Sequence, residues 1–278
     1  MRAAVLGKPV GHSLSPPLHR AAYAALGLPW TYDAVEVDVD GLTGFLRGLG
    51  EEWRGLSLTM PLKQAVLPLL DEVTDLARDV AAANTVLLGD GRLRGDNTDV
   101  HGIVAALAEA GVASARRAVV LGGGATARSA LAALAQLGER SPTLVVRSEP
   151  VETLAAAARL GLQPSVVSFR PAVLDGCDLL ISTLPPGAAD AVAVHAAEVP
   201  VVLDVVYDPW PTRLAAACSG TVVSGASMLL HQAARQVELM TGLPAPLAAM
   251  RAALGGSGTA HAGSSRLGHP PMGGQRAP

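Results

Sequence analysis

The run Arg117-Ala-Val-Val-Leu-Gly-Gly-Gly-Ala-Thr-Ala-Arg128 limits what this chain can fold into more than any other stretch. Four apolar residues lead directly into three glycines, and an alanine-rich segment follows as far as Gly138. A strand, a tight turn and a helix in direct succession open a βαβ unit, whose strands lie parallel. Gly122, Gly124 and Ala127 fit a GxGxxA pattern, in which backbone N–H groups at the start of the helix meet the diphosphate of a dinucleotide. No Walker A lysine follows, so a nucleoside triphosphatase is not expected. The segment from Met1 to His101 precedes this unit and must do separate work, read here as substrate chemistry.

At 278 residues and 50% hydrophobic content the chain can build two modest cores. No apolar run has the length of a membrane helix, and the N-terminal run breaks at Gly7-Lys8-Pro9, unlike a signal peptide. A cytoplasmic protein with no membrane partner is expected. Cys177 and Cys218 lie far apart with no CxxC spacing and no clustered histidines, so both are expected to be buried small hydrophobes, with no metal site. A net charge of −3 and 3% aromatic residues argue against nucleic acid. The expected partner is a small molecule, bound by a monomer or homodimer.

In the first part of the chain, strands are expected at Ala3–Leu6, Thr31–Val37 and Leu56–Met60, with helices at Pro16–Leu26, Gly41–Leu49 and Asp75–Ala83. Thr85–Leu88 and Leu93–Gly95 flank Gly89-Asp90-Gly91 as a hairpin, which makes this sheet mixed. Further on, Ala118–Leu121, Leu144–Val146, Leu179–Ser182, Val201–Val205 and Thr221–Val223 alternate with helices, as in a doubly wound Rossmann domain. Helices from near Thr98 and from about Ser227 to Thr241 connect the two. The last helix, Pro246–Leu254, has no further strand to serve and is expected to return to the first domain. The α/β chain thus divides into a substrate domain at 1–101, completed by a helix at about 244–254, and a dinucleotide domain at 102–243. Residues 255–278, rich in Gly, Ser and Pro, read as a disordered tail.

Four polar runs interrupt the first domain, each read as following a strand, where parallel sheets place ligands. They are Gly11-His12-Ser13-Leu14-Ser15-Pro16, Ser57-Leu58-Thr59-Met60-Pro61-Leu62-Lys63, Ala83-Asn84-Thr85 and Gly95-Asp96-Asn97-Thr98-Asp99. Singly, they also suit structural roles: Ser15 as a helix N-cap, Asn97-Thr98-Asp99 as the cap of a connector helix, and Lys63 as a solvated first-turn lysine.

As an ordered set, these runs resemble the shikimate dehydrogenase family. The resemblance covers nearly the whole chain apart from the tail, and includes the glycine turn, Asp204-Val-Val-Tyr207-Asp-Pro and Gly225-Ala-Ser-Met228-Leu-Leu-His-Gln232-Ala. It implies an oxidoreductase that interconverts shikimate and 3-dehydroshikimate with NADP in aromatic amino acid biosynthesis. On this resemblance Ser13 and Ser15 match carboxylate-binding serines, and Thr59, Asn84 and Asp99 match hydroxyl-binding residues. Tyr207 and Gln232 match substrate contacts reached from the cofactor side, although a helical glutamine can equally face solvent. Lys63 and Asp99 match the catalytic pair.

The residue types suit that chemistry. Oxidising a secondary alcohol removes a hydride from carbon and a proton from oxygen, so a positioned base must take the proton and return it in reverse. Lysine can serve when partial burial opposes its normally high affinity for the proton and a carboxylate orients it. Which member of the Lys63–Asp99 pair holds the proton stays open in the sequence. Hydroxyl, phenol and amide groups recognise a polyol with more discrimination than an apolar pocket.

For the cofactor, the resemblance assigns Gly122, Gly123, Gly124, Ala125 and Thr126 to the diphosphate and Val205, Gly225 and Met228 to the surroundings of the nicotinamide. Arg147 and Ser148 match positions that grip the 2′-phosphate of NADP. Here the chain departs from the family, because Val146 replaces an asparagine and neither Pro150 nor Val151 supplies a second cation. NADP is expected through Arg147, with NAD open as an alternative. A second departure is Ser57, where the family generally has asparagine; it is expected to shape the strand end with little effect on the reaction. Two other functions compete. One is an NAD-dependent quinate/shikimate dehydrogenase, since quinate differs from shikimate mainly by a tertiary hydroxyl and ring saturation. The other is a non-catalytic shikimate-binding relative, against which the presence of both Lys63 and Asp99 argues.

Overall fold

The computed structural model describes residues 1–257. Strand β1 (Arg2–Gly7) is followed by helix α1 (Ser15–Ala25), β2 (Thr31–Glu36), α2 (Val39–Arg47), β3 (Trp53–Leu58), the short α3 (Leu62–Ala65), β4 (Glu72–Val73), α4 (Asp75–Val80) and the hairpin of β5 (Thr85–Gly89) and β6 (Arg92–Asp96). These strands form one sheet in the order β2-β1-β3-β5-β6-β4. It is mixed, because β1 pairs parallel with β2 and β3 whereas β5 runs antiparallel to β3 and β6. The two-residue period of a strand divides β1 between two cores. Ala3 and Val5 meet Leu18 and Ala22 of α1, while Ala4 and Leu6 meet Leu42 and Leu46 of α2 and Leu62 of α3.

Helix α5 (Asp99–Glu109) leads to the second sheet. There β7 (Ala118–Leu121), α6 (Ala125–Gln136), β8 (Thr143–Val145), α7 (Val151–Arg159) and β9 (Ser165–Val167) are followed by β10 (Leu179–Ser182), α8 (Asp190–Ala193), β11 (Val201–Asp204), α9 (Arg213–Ala217) and β12 (Thr221–Ser224). All six strands are parallel, in the order β12-β11-β10-β7-β8-β9. The winding reverses between β7 and β10, which creates the crevice where such sheets take their ligands. Ala118 and Val120 face α5 and α6, and Val119 and Leu121 face Val192 of α8 and Leu214 of α9, so both faces are covered.

Helix α10 (Gly225–Thr241) runs from β12 back to the first sheet, and α11 (Leu247–Ser257) closes against α1. Fully buried Met250 of α11 joins Leu18, Tyr23, Leu230 and Val237 in one cluster, so the last helix does return to the first sheet. The two sheets are also tied by Arg128 of α6, which is 2% exposed. Its guanidinium donates to the carbonyls of Val80 and Ala81 at 2.7 and 3.1 Å, a cationic cap on the C-terminus of α4.

Some local expectations are corrected. Ser15 lies within α1, whose N-cap is Leu14; the serine that bonds there is Ser13, whose Oγ accepts the Ser15 N–H at 3.2 Å. Pro16 has no N–H to satisfy, so the helix can begin ahead of it without losing a donor. At α5 the capping side chain is Asn97, whose Oδ1 accepts the Val100 N–H at 3.3 Å, while Thr98 makes no cap bond. Helix α10 begins at Gly225 because Ser224 caps it through the Ser227 N–H. Cys177 is buried as expected, but Cys218 is only partly so. Strands β4 and β9, two and three residues long, are too short to show an alternation and were not foreseen. Residues 255–257 extend the last helix rather than opening a tail, and the rest of the expected tail, 258–278, lies outside the described residues.

Candidate active site

The antiparallel course of β5 decides where the polar runs meet. Its first residue, Thr85, pairs with Ser57 near the end of β3 and with Asp96 at the end of β6. Asn84 therefore precedes a strand instead of following one, a correction to the reading above, yet it reaches the same sheet edge as the ends of β1, β3 and β6. A cavity of about 200 Å³ opens at this edge. Ser13, Ser15, Thr59, Lys63, Asn84 and Asp99 line it from the first sheet. Tyr207 and Gln232 line it from the loop after β11 and from α10. Thr126, Val205, Gly225 and Met228 complete the wall beside the second sheet.

Lys63 and Asp99 form the shortest charged contact of the cavity, with Nζ 2.6 Å from Oδ2. Their side chains are 17% and 6% exposed, so Lys63 is not the solvated first-turn lysine that α3 alone would suggest. The other carboxylate oxygen of Asp99 accepts from Asn84 Nδ2 at 2.8 Å. The Thr98 N–H donates to Asn84 Oδ1 at 2.7 Å, and because a backbone N–H can only donate, this bond fixes which end of the carboxamide faces Asp99. Gln232 is buried, not surface-facing: Nε2 donates to the Leu229 carbonyl at 3.0 Å, and Oε1 accepts from Asn84 Nδ2 at 3.2 Å. Burial, reinforced by the charge of Asp208, raises the Tyr207 phenol above its ordinary range and keeps it a hydroxyl donor. An amine, a carboxylate, two carboxamides, hydroxyls and a phenol thus converge on a space of small-molecule size.

Ser57 and Gln236 also line the cavity, the first read from the sequence only as shaping a strand end and the second given no role there. Ser57, 4% exposed, accepts from the Tyr32 hydroxyl at 2.5 Å and donates to Gln236 Oε1 at 2.7 Å. It is a member of a buried hydrogen-bond chain, more than a shaper of the strand end, and the carboxamide beside it comes from Gln236 on α10. Tyr32 stacks on His19 with ring centroids 3.9 Å apart. Complete burial lowers the His19 pKa from 6.5 to about 4, so the ring is neutral; Nδ1 donates to the Ser15 carbonyl at 2.9 Å. Gln236 follows Gln232 by one helical turn, the spacing at which two residues of a helix share a face. That spacing was the available signal.

On the second sheet, Gly122, Gly123, Gly124 and Ala125 form the turn from β7 into α6, apart from the cavity wall that Thr126 reaches. Gly122 has φ +108°, and a Cβ there would lie 2.5 Å from Thr183 Oγ1, so no larger residue fits this turn. A Cβ at Gly124 would meet nothing within 4 Å, and α6 has no side-chain cap. Open space in front of uncapped helix N–H groups fits a dinucleotide diphosphate. Thr153 Oγ1 donates to the Gly123 carbonyl at 2.7 Å and holds the turn against α7. Arg147 and Ser148 follow β8, exposed and outside the cavity, at the position a nucleotide's adenosine end takes in this fold.

Comparison with known proteins agrees with this arrangement. Residues 5–86 match the family model of the shikimate dehydrogenase substrate binding domain, and residues 225–254 that of the shikimate 5'-dehydrogenase C-terminal domain. The chain is 40% identical to the shikimate dehydrogenase (NADP(+)) of Halobacterium salinarum, over 90% of this chain and 97% of that protein. The crystal structure of Mycobacterium tuberculosis shikimate dehydrogenase superposes with a TM-score of 0.86 at 43% identity, covering 92% of this chain and 99% of that one. The Thermus thermophilus enzyme, solved in complex with NADP(H) and shikimate, gives 0.81 at 36% identity, covering 91% and 98%. The chain belongs to the shikimate dehydrogenase family.

Proposed function

We propose that this protein oxidises shikimate to 3-dehydroshikimate, and reduces it in reverse, with NADP(H) as the redox partner in aromatic amino acid biosynthesis. The observation that carries the reading is the Lys63–Asp99 pair, 2.6 Å apart and mostly buried, in a cavity whose other polar lining groups are neutral hydroxyls, carboxamides and a phenol. The Halobacterium and Thermus relatives, with their named cofactor and substrate, support it.

Ser13 and Ser15 receive the substrate carboxylate in this account, while Thr59, Asn84, Tyr207 and Gln232 hold ring hydroxyls. Specificity follows because a ligand lacking a hydroxyl leaves buried donors and acceptors unpaired. Bound NADP supplies the hydride acceptor. Gly122 to Thr126 hold its diphosphate, Arg147 and Ser148 its 2′-phosphate, and Val205, Gly225 and Met228 flank its nicotinamide. Lys63 Nζ, oriented by Asp99, takes the hydroxyl proton as the hydride leaves the adjacent carbon, and gives it back in reverse. Among the described residues no helix is long and apolar enough to cross a membrane. We place the reaction in the cytoplasm, in a monomer or homodimer.

The test is the absorbance of reduced nicotinamide after mixing purified protein with shikimate and NADP, with quinate and NAD as parallel arms. Turnover greatest with shikimate and NADP is expected. Turnover greatest with quinate and NAD, or shikimate binding with no turnover under any combination, would replace the reading with one of its competitors.

A further inference from the structure

Buried groups at and behind the cavity wall form a hydrogen-bond chain whose direction is forced. The Asn84 backbone carbonyl can only accept, so the Gln236 atom 3.2 Å from it is Nε2, and Oε1 must face Ser57. Ser57 then donates to Gln236, and its oxygen accepts from Tyr32. On the other side, Gln236 Nε2 donates to Thr85 Oγ1 at 2.9 Å, and the Thr85 hydroxyl donates to Asn84 Oδ1 at 2.9 Å. Asn84 Nδ2 donates to Asp99. One continuous line of donors therefore runs from Tyr32 to the Asp99 carboxylate, with side branches from Asn84 Nδ2 to Thr98 Oγ1 and Gln232 Oε1 and from Gln236 Nε2 to the Asn84 carbonyl, and Tyr32, Ser57, Gln236, Thr85 and Asn84 are all at most 4% exposed.

We propose that Thr85 and Gln236 are positioning residues for the Lys63–Asp99 pair, acting through the Asn84 carboxamide to solvate the Asp99 carboxylate where water is excluded. This rests on the catalytic reading of that pair given above. An ionised carboxylate with one side turned inward needs donors in place of water, and aligned donors polarise one another. The two carboxamides in the chain cannot hand on a proton as hydroxyls do, so its work is orientation rather than proton transfer. Thr98 N–H also holds Asn84 Oδ1, so the loss of one link weakens the arrangement without abolishing it. Other ionisable groups nearby are Tyr207 across the cavity, His19 and Tyr23 against Tyr32, and Asp96 opposite Thr85 in the hairpin.

Thr85→Val keeps the side-chain shape and removes the hydroxyl, Thr85→Ser keeps the hydroxyl, and Gln236→Met removes the amide. Thr85→Val and Gln236→Met are each expected to lower kcat about tenfold, the effect of one buried hydrogen bond, with KM for shikimate changed less than about twofold. Thr85→Ser should stay within about threefold of wild-type kcat, and Tyr32→Phe, at the far end, should lower kcat least. Wild-type kcat in folded Thr85→Val, or Thr85→Ser as slow as Thr85→Val, would overturn the proposal. Should Thr85→Val not fold, wild-type kinetics in Gln236→Met would overturn it equally. Failure of the wild type to oxidise shikimate, or full turnover by Lys63→Ala, would instead count against the underlying reading of the site.

Discussion

Gly102 of α5 lies so close to Gln232 of α10 that a Cβ added to it would stand 2.8 Å from Gln232 Cβ and 2.7 Å from the Met228 carbonyl. The missing side chain lets the two connector helices approach until Asp99, at the start of one, and Gln232, in the middle of the other, both contact Asn84. Helix packing and site geometry are here the same fact.

Gly102→Ala forces these helices apart at a backbone carbonyl, which cannot swing away as a flexible side chain would. Overpacking of this kind costs about 1–3 kcal/mol. A lower midpoint in denaturant unfolding is expected, with reduced kcat from displacement of Gln232. Unchanged stability and turnover would show that the helices slide apart freely.

His19 makes stability depend on pH. Its pKa is about 4 in the folded protein against an ordinary 6.5, so the unfolded chain binds the proton more readily. Stability is therefore full above pH 6.5 and falls as pH drops from 6.5 toward 4, by about 3 kcal/mol if the whole shift is expressed. His19→Phe keeps a ring against Tyr32 and removes the titration. Urea unfolding across this range should show a shallower pH dependence in the variant than in wild type, and parallel curves would contradict the assignment.

Most of the architecture is legible in the sequence because it rests on apolar alternation and glycine punctuation. The strands of the second sheet repeat short apolar runs such as Ala118–Leu121 and Leu179–Ile181, and Gly122 and Gly138 mark the turn into α6 and the residue just past its C-cap. The polar runs that line the cavity are legible as clusters, and the family resemblance supplies their roles. The joint role of Ser57, Thr85 and Gln236 was not legible, for a physical reason. Each looks like an ordinary polar residue on a strand or helix, and only the antiparallel course of β5 and the path of α10 over the sheet bring them together. Arg128 was read only as the end of the glycine motif, since its carbonyl partners on α4 are remote in sequence.

Arg147 is the sole arginine or lysine in the segment after β8, from Val146 to Val151; the strand ends at Val145 and Val146 follows, with no acidic residue there for the 2′-hydroxyl of NAD, and Glu149 follows Arg147 by two residues. A guanidinium bonded to a phosphate contributes about 1.5–3 kcal/mol, or roughly one to two decades in affinity. Arg147→Ala should raise KM for NADP by that factor and barely alter KM for NAD. Equal effects on both cofactors would remove Arg147 from the phosphate site.

Asp99→Asn keeps the size of the side chain and removes the charge that orients Lys63. The Asn84 donor then faces a neutral amide, and substrate contacts weaken with it. A fall in kcat of about a hundredfold, with a rise in KM, is expected in steady-state assays. A change in KM alone would assign Asp99 to binding only.

The most direct test of the account is kcat for shikimate oxidation by Lys63→Ala, measured with saturating NADP on protein shown to be folded by its unfolding transition. Removing the amine leaves the polyol-binding groups in place and takes away the proton acceptor. The account predicts a loss of at least about a hundredfold in kcat with KM changed far less. A folded variant that turns over near the wild-type rate would contradict it.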